Sequence, residues 1–146
     1  MKSYYFESNE PVSVQQLNNI NVLYYPMPMP DYQEKLDQIC QERGYKNRDE
    51  VKLNENTENL DAKLKIFFEE HLHDDEEIRF ILEGSGFFDV RDANDQWIRI
   101  RVEKGDLIIV PANMYHRFTL TETKQIHACR LFTDAPKWVP INRHQQ

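Results

Sequence analysis

The sequence predicts a mainly-β domain in which helices precede an antiparallel sandwich or barrel. From Ile78 to Phe132, short apolar runs alternate with turn residues, which is typical of such a barrel. Upstream of about residue 70 the chain is more polar and has helical periodicity. Helices first and strands afterwards argue against an alternating βαβ fold. We expect one domain over 1–146, with a helical N-terminal part (1–70), a barrel core (71–133) and a C-terminal tail (134–146).

The composition limits the partners and the compartment. The chain has 40% hydrophobic and 29% charged residues, which is typical of a globular protein. A formal net charge of -7 argues against nucleic acid and anionic membranes as partners. No signal peptide and no apolar run of membrane length is visible. Cys40 and Cys129 form no CxxC pair, so we expect buried free thiols and a cytoplasmic protein.

Two helices are predicted in the N-terminal part. Asp31 and Glu34 have the spacing of a capping box, and Gly44 supplies a stop. Between them, one helical face is apolar: Tyr32, Leu36, Ile39 and Cys40. A second helix is predicted from about Asn59 to Glu70, with an apolar face formed by Leu60, Leu64, Phe67 and Phe68. The prolines of Met27-Pro28-Met29-Pro30 predict a linker.

Six strands are predicted after the second helix. They cover residues 78–83, 87–91, 97–102, 107–110, 115–120 and 125–132. The turns between them are predicted at Gly84-Ser85-Gly86, Asp92–Asp95, Lys104-Gly105 and Pro111–Asn113.

The stretch from His71 to Glu77 carries the main functional signal. Residues two apart on a strand face the same side, so His71 and His73 can point into one cavity. Glu77 lies four residues further on, and His116 comes from another strand. Three imidazoles and one carboxylate leave two positions of an octahedron open and suit iron, nickel, manganese, cobalt or zinc. The intervening acids, Asp74, Asp75 and Glu76, are expected to form a solvated turn.

A second segment supports this interpretation, because an HxH pair alone is more often something other than a metal site. Gly105, Pro111 and His116 follow the HxHxxxE stretch and Gly84 at intervals that resemble the two-part signature of the cupin superfamily. Both glycines fit tight connections between barrel strands. Asn113 stands where cupins usually carry glycine, which is a mild departure because Asn tolerates left-handed geometry.

The resemblance extends well beyond the four ligands. The segments that resemble eukaryotic acireductone dioxygenases are 69–92, 97–99, 103–106, 115–119, 130–132, 136–138 and 142–143. Segments 17–24 and 42–49 resemble the family less specifically. The likeness therefore covers nearly the whole chain, and it implies a single cupin barrel, a double-stranded β-helix or jelly roll, with N-terminal helices.

This resemblance implies a dioxygenase of methionine salvage that cleaves 1,2-dihydroxy-5-(methylthio)pent-1-en-3-one with O2. The family implies 2-oxo-4-methylthiobutanoate and formate as products with Fe(II). With Ni(II), it implies methylthiopropionate, formate and carbon monoxide. Carried over by position, the ligands of one Fe(II) or Ni(II) per chain are His71, His73, Glu77 and His116. We expect a monomer in the cytoplasm, with the nucleus as a second location.

Three further residues are candidates for substrate binding or catalysis. Strand alternation places Arg79 on the face of Glu77, and Phe118 on the face of His116. Arg79 could steady an oxyanion or a glutamate side chain, or could form a rim ion pair. Phe118 could wall the pocket around the methylthio tail, or belong to the core. Arg130 is placed near the site by the resemblance alone.

Two alternatives stay open. One is another cupin metalloenzyme with the same ligands, which the near-continuous match argues against. The other is a non-catalytic cupin binding module, which the intact ligands argue against. Members of the family usually continue past the position of Arg143, whereas this sequence ends at Gln146, which predicts a more open or less stable site.

Overall fold

A computed structural model describes residues 1–68, 71–72, 76–133 and 141–142, with side chains described except at 66–68, 71–72 and 141–142. These residues form three helices, α1 (Val14–Asn19), α2 (Gln33–Arg43) and α3 (Leu60–Phe68). They also form ten strands: β1 (Lys2–Tyr5), β2 (Leu23–Pro26), β3 (Asn47–Leu53), β4 (His71–Leu72), β5 (Glu77–Arg91), β6 (Trp97–Glu103), β7 (Asp106–Val110), β8 (His116–Leu120), β9 (Ile126–Phe132) and β10 (Ile141–Asn142). The mainly-β prediction is confirmed.

The long strand β5 belongs to two antiparallel sheets. Its first half pairs with β7 and β9, and β2 and β3 extend this sheet at its two edges. Its second half pairs with β6 and β8 in a sheet whose strand order is β1-β6-β5-β8-β4-β10. Because β5 belongs to both sheets, it connects them directly through its own backbone.

The turn predicted at Gly84-Ser85-Gly86 is wrong, because β5 runs straight through it. The register shifts between Ile81 and Glu83, and Gly84 has a φ of +78°. This is a β-bulge, which bends a strand without ending it. A Cβ at Gly84 would collide with the backbone of Gln125, so the glycine serves a close strand approach. The turn predicted at Lys104-Gly105 is confirmed.

The N-terminal part, expected to be helical, contains three strands as well as its helices. Strands β1, β2 and β3 all come from it and pair with β6, β7 and β9 respectively. Of the seven residues of β3, Leu53 alone is buried, so its sequence is polar and carries little strand signal. The short helix α1 was also missed, although Ser13 and Gln16 form a true capping box at its start.

The two predicted helices are present. Gly44 ends α2 in the left-handed conformation at φ 76°, as expected. The capping box at Asp31 is wrong, because Tyr32 is the N-cap residue and makes no side-chain cap bond. The second predicted helix corresponds to α3, while Glu69 and Glu70 lie outside the described residues. No described helix is long and apolar enough to span a membrane.

Two apolar clusters form the core. The first lies between the sheets and includes Leu53, Ile81, Phe88 and Ile126. The second packs α2 against the first half of β5 and contains both thiols, Cys40 and Cys129. Both cysteines are free and buried, as predicted. Burial raises the pKa of Cys129 to about 11.

Candidate metal centre

Two predicted ligands, Glu77 and His116, meet inside the barrel. Glu77 is the first residue of β5, and His116 is the first residue of β8. Their side chains are 11% and 2% exposed, and the Nε2 atom of His116 contacts the Oε2 atom of Glu77. Two buried acceptor atoms repel each other unless a positive charge lies between them, so the pair fits a proton or a metal ion.

The backbone brings His71 to the same place. In β4, His71 is the register partner of His116, which in turn is paired with Val90 of β5. The side chain of His71 and all of His73 lie outside the described part of the chain, as do Asp74 and Asp75. Among the described side chains, no third histidine, cysteine or acid joins Glu77 and His116 in a metal-sized cluster.

A hydrogen bond orients the imidazole of His116. Its Nδ1 atom lies 2.9 Å from the carbonyl oxygen of Met114. Since a carbonyl only accepts, Nδ1–H is the donor, and Nε2 is left to face Glu77. This arrangement is typical of metal-binding histidines, whose second nitrogen is held by a backbone carbonyl. Burial lowers the pKa of His116, but the charge of Glu77 outweighs it and raises the pKa above its usual value.

Arg79 holds the other oxygen of Glu77. Its Nη2 atom lies 2.7 Å from Oε1, and both side chains are nearly buried. A second nitrogen, Nη1, donates to the carbonyl of Ile78 at 3.0 Å. Burial lowers the pKa of the Arg79 guanidinium, and the carboxylate of Glu77 opposes this shift. Glu77 therefore lies between an arginine and an imidazole, with one oxygen directed to each.

Arg130 lies beside Arg79, as its register partner on β9. It donates from Nε and Nη2 to the two oxygens of Asp49 at 2.7 and 2.6 Å. Asp49 comes from β3, a strand that the sequence analysis missed. The segment 42–49 had been noted only for a general resemblance, and no local signal marks Asp49 as a partner of Arg130.

A cavity of about 60 Å³ adjoins these groups. Glu77, Arg79, His116 and Arg130 contribute its polar lining. Its remaining lining residues are apolar: Val51, Leu53, Ile81, Phe88, Phe118, Ile126 and Ala128. The ring of Phe118 packs against Phe88 with 4.9 Å between ring centroids. All described candidate residues of the sequence analysis therefore line one cavity.

Two other expectations meet different outcomes. Glu76 is not a solvated turn residue, because Arg43 and Tyr45 hold its carboxylate at 2.8 and 2.6 Å. His127, expected at the surface, lies on β9 between β3 and β5, is 23% exposed, and has its Nε2 atom 2.6 Å from Glu50 of β3. His144 lies outside the described residues.

Comparisons with known proteins show the family to which the chain belongs. The ARD/ARD' family matches residues 3–140. Acireductone dioxygenase from Dictyostelium discoideum is 65% identical over 147 residues, which cover 99% of this chain and 100% of that protein. Acireductone dioxygenase from Rattus norvegicus is 49% identical over 140 residues, covering 94% of this chain and 78% of that protein.

A solved structure shows the same architecture. Acireductone dioxygenase from Bacillus anthracis, with a cadmium ion in its active centre, superposes with a TM-score of 0.88 at 30% identity. The match covers 96% of each chain, so the expected cupin fold is confirmed. By family match, relatives and fold together, the chain belongs to the ARD/ARD' family of acireductone dioxygenases.

Proposed function

We propose that this protein is a metal-dependent dioxygenase that cleaves 1,2-dihydroxy-5-(methylthio)pent-1-en-3-one with O2 in methionine salvage. The observation that carries the proposal is the contact between Glu77 and His116 at the polar end of the cavity. Family membership supplies the reaction class, and the buried imidazole–carboxylate pair supplies a place for its metal.

The proposed ligands are His71, His73, Glu77 and His116, and the proposed metal is Fe(II) or Ni(II). Nitrogen and oxygen donors of this kind suit both ions, and the chain offers no thiolate at the site. When bound, the divalent ion would act as a Lewis acid and as a template for the two oxygens of an enediolate. The carboxylate of Glu77 offsets one of its two charges and leaves the site net positive.

The arginines have distinct proposed roles. Arg79 orients Glu77 through the 2.7 Å contact, so that the other carboxylate oxygen stays directed towards His116. Arg130, held by Asp49, adds a second guanidinium to the cavity lining. Together they favour an anionic substrate, because a guanidinium in a poorly solvated cavity attracts an oxyanion strongly.

The apolar lining is proposed to bind the methylthio end of the substrate. Phe118 and Phe88 pack together in this lining, and Val51 and Leu53 of β3 also belong to it. These side chains also exclude water from the polar end of the cavity. A dry site protects a reactive enediolate from side reactions and strengthens its contact with the arginines.

An anaerobic loading experiment tests this proposal. Metal-free protein is loaded with Fe(II) or Ni(II), mixed with the acireductone, and then exposed to oxygen. We expect 2-oxo-4-methylthiobutanoate and formate from the Fe(II) form. From the Ni(II) form we expect methylthiopropionate, formate and carbon monoxide. Absence of product from both forms would refute the enzymatic proposal, and identical products would refute the metal-dependent choice.

The remaining features of the proposal are a single domain over 1–146, a monomeric state, and a location in the cytoplasm and nucleus. A single cooperative transition in urea denaturation tests the first. Sedimentation velocity of the metal-loaded protein tests the second, because a monomer of 17.6 kDa sediments as one slow species. Fluorescence imaging of the tagged protein in its native cells tests the third.

A further inference from the structure

A hydrogen-bonded cluster lies directly before the proposed metal ligand Glu77. Its members are Arg43, Tyr45 and Glu76, which we call the Glu76 anchor. Arg43 donates from Nη2 to Oε1 of Glu76 at 2.8 Å, and Tyr45 donates from its hydroxyl to Oε2 at 2.6 Å. Arg43 also donates from Nε to the hydroxyl of Tyr45 at 2.8 Å. The three side chains thus form a closed ring of bonds.

The two donors are held by the end of α2. Gly44 turns the chain in the left-handed conformation, and the N–H of Tyr45 then bonds the carbonyl of Cys40 at 2.9 Å. Tyr45 is 7% exposed and packs in the second apolar cluster. Burial and Glu76 raise the pKa of Tyr45, so its hydroxyl remains a donor. The anchor is therefore attached to the C-terminal end of α2 and to the second apolar cluster.

Glu76 and Glu77 are consecutive, and their side chains point in opposite directions. Glu77 lines the cavity, whereas Glu76 reaches the C-terminal end of α2. Glu77 also begins β5, where its register partner is Val110 of β7. The anchor therefore restrains the backbone immediately before Glu77 from the side opposite the cavity.

We propose that Arg43 and Tyr45, acting through Glu76, are positioning residues that hold Glu77 in place as a metal ligand. This inference depends on the metal site of the proposed function. Groups that orient a ligand typically change metal affinity 10- to 100-fold when they are removed. Loss of the Tyr45 hydroxyl removes one of the two bonds to Glu76, so we expect an effect of about tenfold.

The test compares two Tyr→Phe variants near the two ends of β5. Tyr45→Phe breaks the anchor. The control, Tyr5→Phe, removes a similar bond of 2.9 Å from a tyrosine to Asp92, the residue after the far end of β5. A third variant, Glu76→Gln, keeps the size of the side chain but not its charge. The dissociation constant for Ni(II) is measured by competition with a chelator, and the melting temperature of each metal-free protein is measured alongside.

We expect Tyr45→Phe and Glu76→Gln to bind Ni(II) about tenfold or more weakly than the wild type, and Tyr5→Phe to bind it with unchanged affinity. Equal affinity in all four proteins would overturn the inference and leave the metal site intact. Weaker binding by Tyr5→Phe to the same extent would also overturn it, since general loosening of the fold would then suffice. A wild-type protein that binds no Ni(II) would overturn the proposed metal site, and this inference with it.

Discussion

The two halves of β5 each bury one carboxylate, but the two carboxylates differ in what surrounds them. In the second half, Asp89 is 1% exposed and accepts three bonds from guanidinium nitrogens. Two come from Arg99 at 2.8 and 2.9 Å, and one comes from Arg117 at 2.7 Å. Both arginines also stack on aromatic rings, Arg99 over Phe6 and Arg117 over Trp97.

In the first half, Glu77 meets one arginine and one imidazole at the edge of a cavity. An imidazole can bind a metal ion through the nitrogen it presents, whereas a guanidinium cannot. A carboxylate saturated by arginines is therefore a structural element, while one shared with an oriented histidine beside open volume suits a cation. The following predictions test this distinction.

The largest effect is expected from His116→Ala. The variant removes the nitrogen that faces Glu77, so stoichiometric binding of Fe(II) or Ni(II) should be abolished, as measured by elemental analysis after dialysis. His127→Ala is the matched control, because His127 pairs with Glu50 of the neighbouring strand β3 and does not line the cavity. Full retention of metal by His116→Ala would refute the proposed site.

Asp89→Asn should destabilise the fold without affecting the metal. Removing the charge leaves Arg99 and Arg117 with a neutral partner in a buried position, which should lower the free energy of unfolding by about 3–5 kcal/mol in urea denaturation. Asp37→Asn, which removes the exposed partner of Arg48, should change it by less than about 1 kcal/mol. If Asp89→Asn lost its metal while keeping its stability, the division between the two halves of β5 would be wrong.

Gly86→Ala, in the middle of β5, should disturb the cavity by displacing the ring of Phe118. A Cβ at this position would lie 2.5 Å from the ring of Phe118, which lines the cavity. Moving the ring should lower the free energy of unfolding by about 1–3 kcal/mol and reduce kcat/KM. In a double-mutant cycle, Phe118→Leu should recover part of the stability, because the smaller side chain relieves the contact. Strict additivity of the two changes would contradict this account.

The smallest effect is expected at alkaline pH, on the side of β5 away from the cavity. Cys129 pairs in register with Phe80, and burial raises its pKa from 9.0 to about 11. Because the folded-state pKa is raised, this contribution to stability is complete below about pH 9 and is lost as the pH rises towards 11. Between pH 8 and 10, stability should fall by about 1 kcal/mol more in the wild type than in Cys129→Ala. The free energy of unfolding is measured by urea denaturation at each pH. If it fell equally with pH in both proteins, the Cys129 thiol would be solvated and this account would be wrong.

Much of the candidate site could be predicted because strand alternation is local. The pairs Glu77 with Arg79 and His116 with Phe118 were each placed on one face, and all four residues line the cavity. Gly44 likewise ends α2, because a left-handed residue after an amphipathic helix needs no distant partner. The turn predicted at Gly84-Ser85-Gly86 was wrong for the opposite reason. Gly84 and Gly86 allow close approach of Gln125 and Phe118, and these distant contacts leave no local pattern in the sequence.

The sequence by itself determined the fold class, because apolar periodicity is visible in consecutive residues, and it determined the family, because the resemblance extends over nearly the whole chain. It predicted the four metal ligands from their spacing and from that resemblance. Only the tertiary structure decided that β3 closes one side of the cavity and that Asp49 holds Arg130, 81 residues away. It also decided that Glu76 is anchored by Arg43 and Tyr45 rather than solvated. Such pairings depend on how distant strands and helices pack, and polar edge segments carry no local periodicity that would predict them.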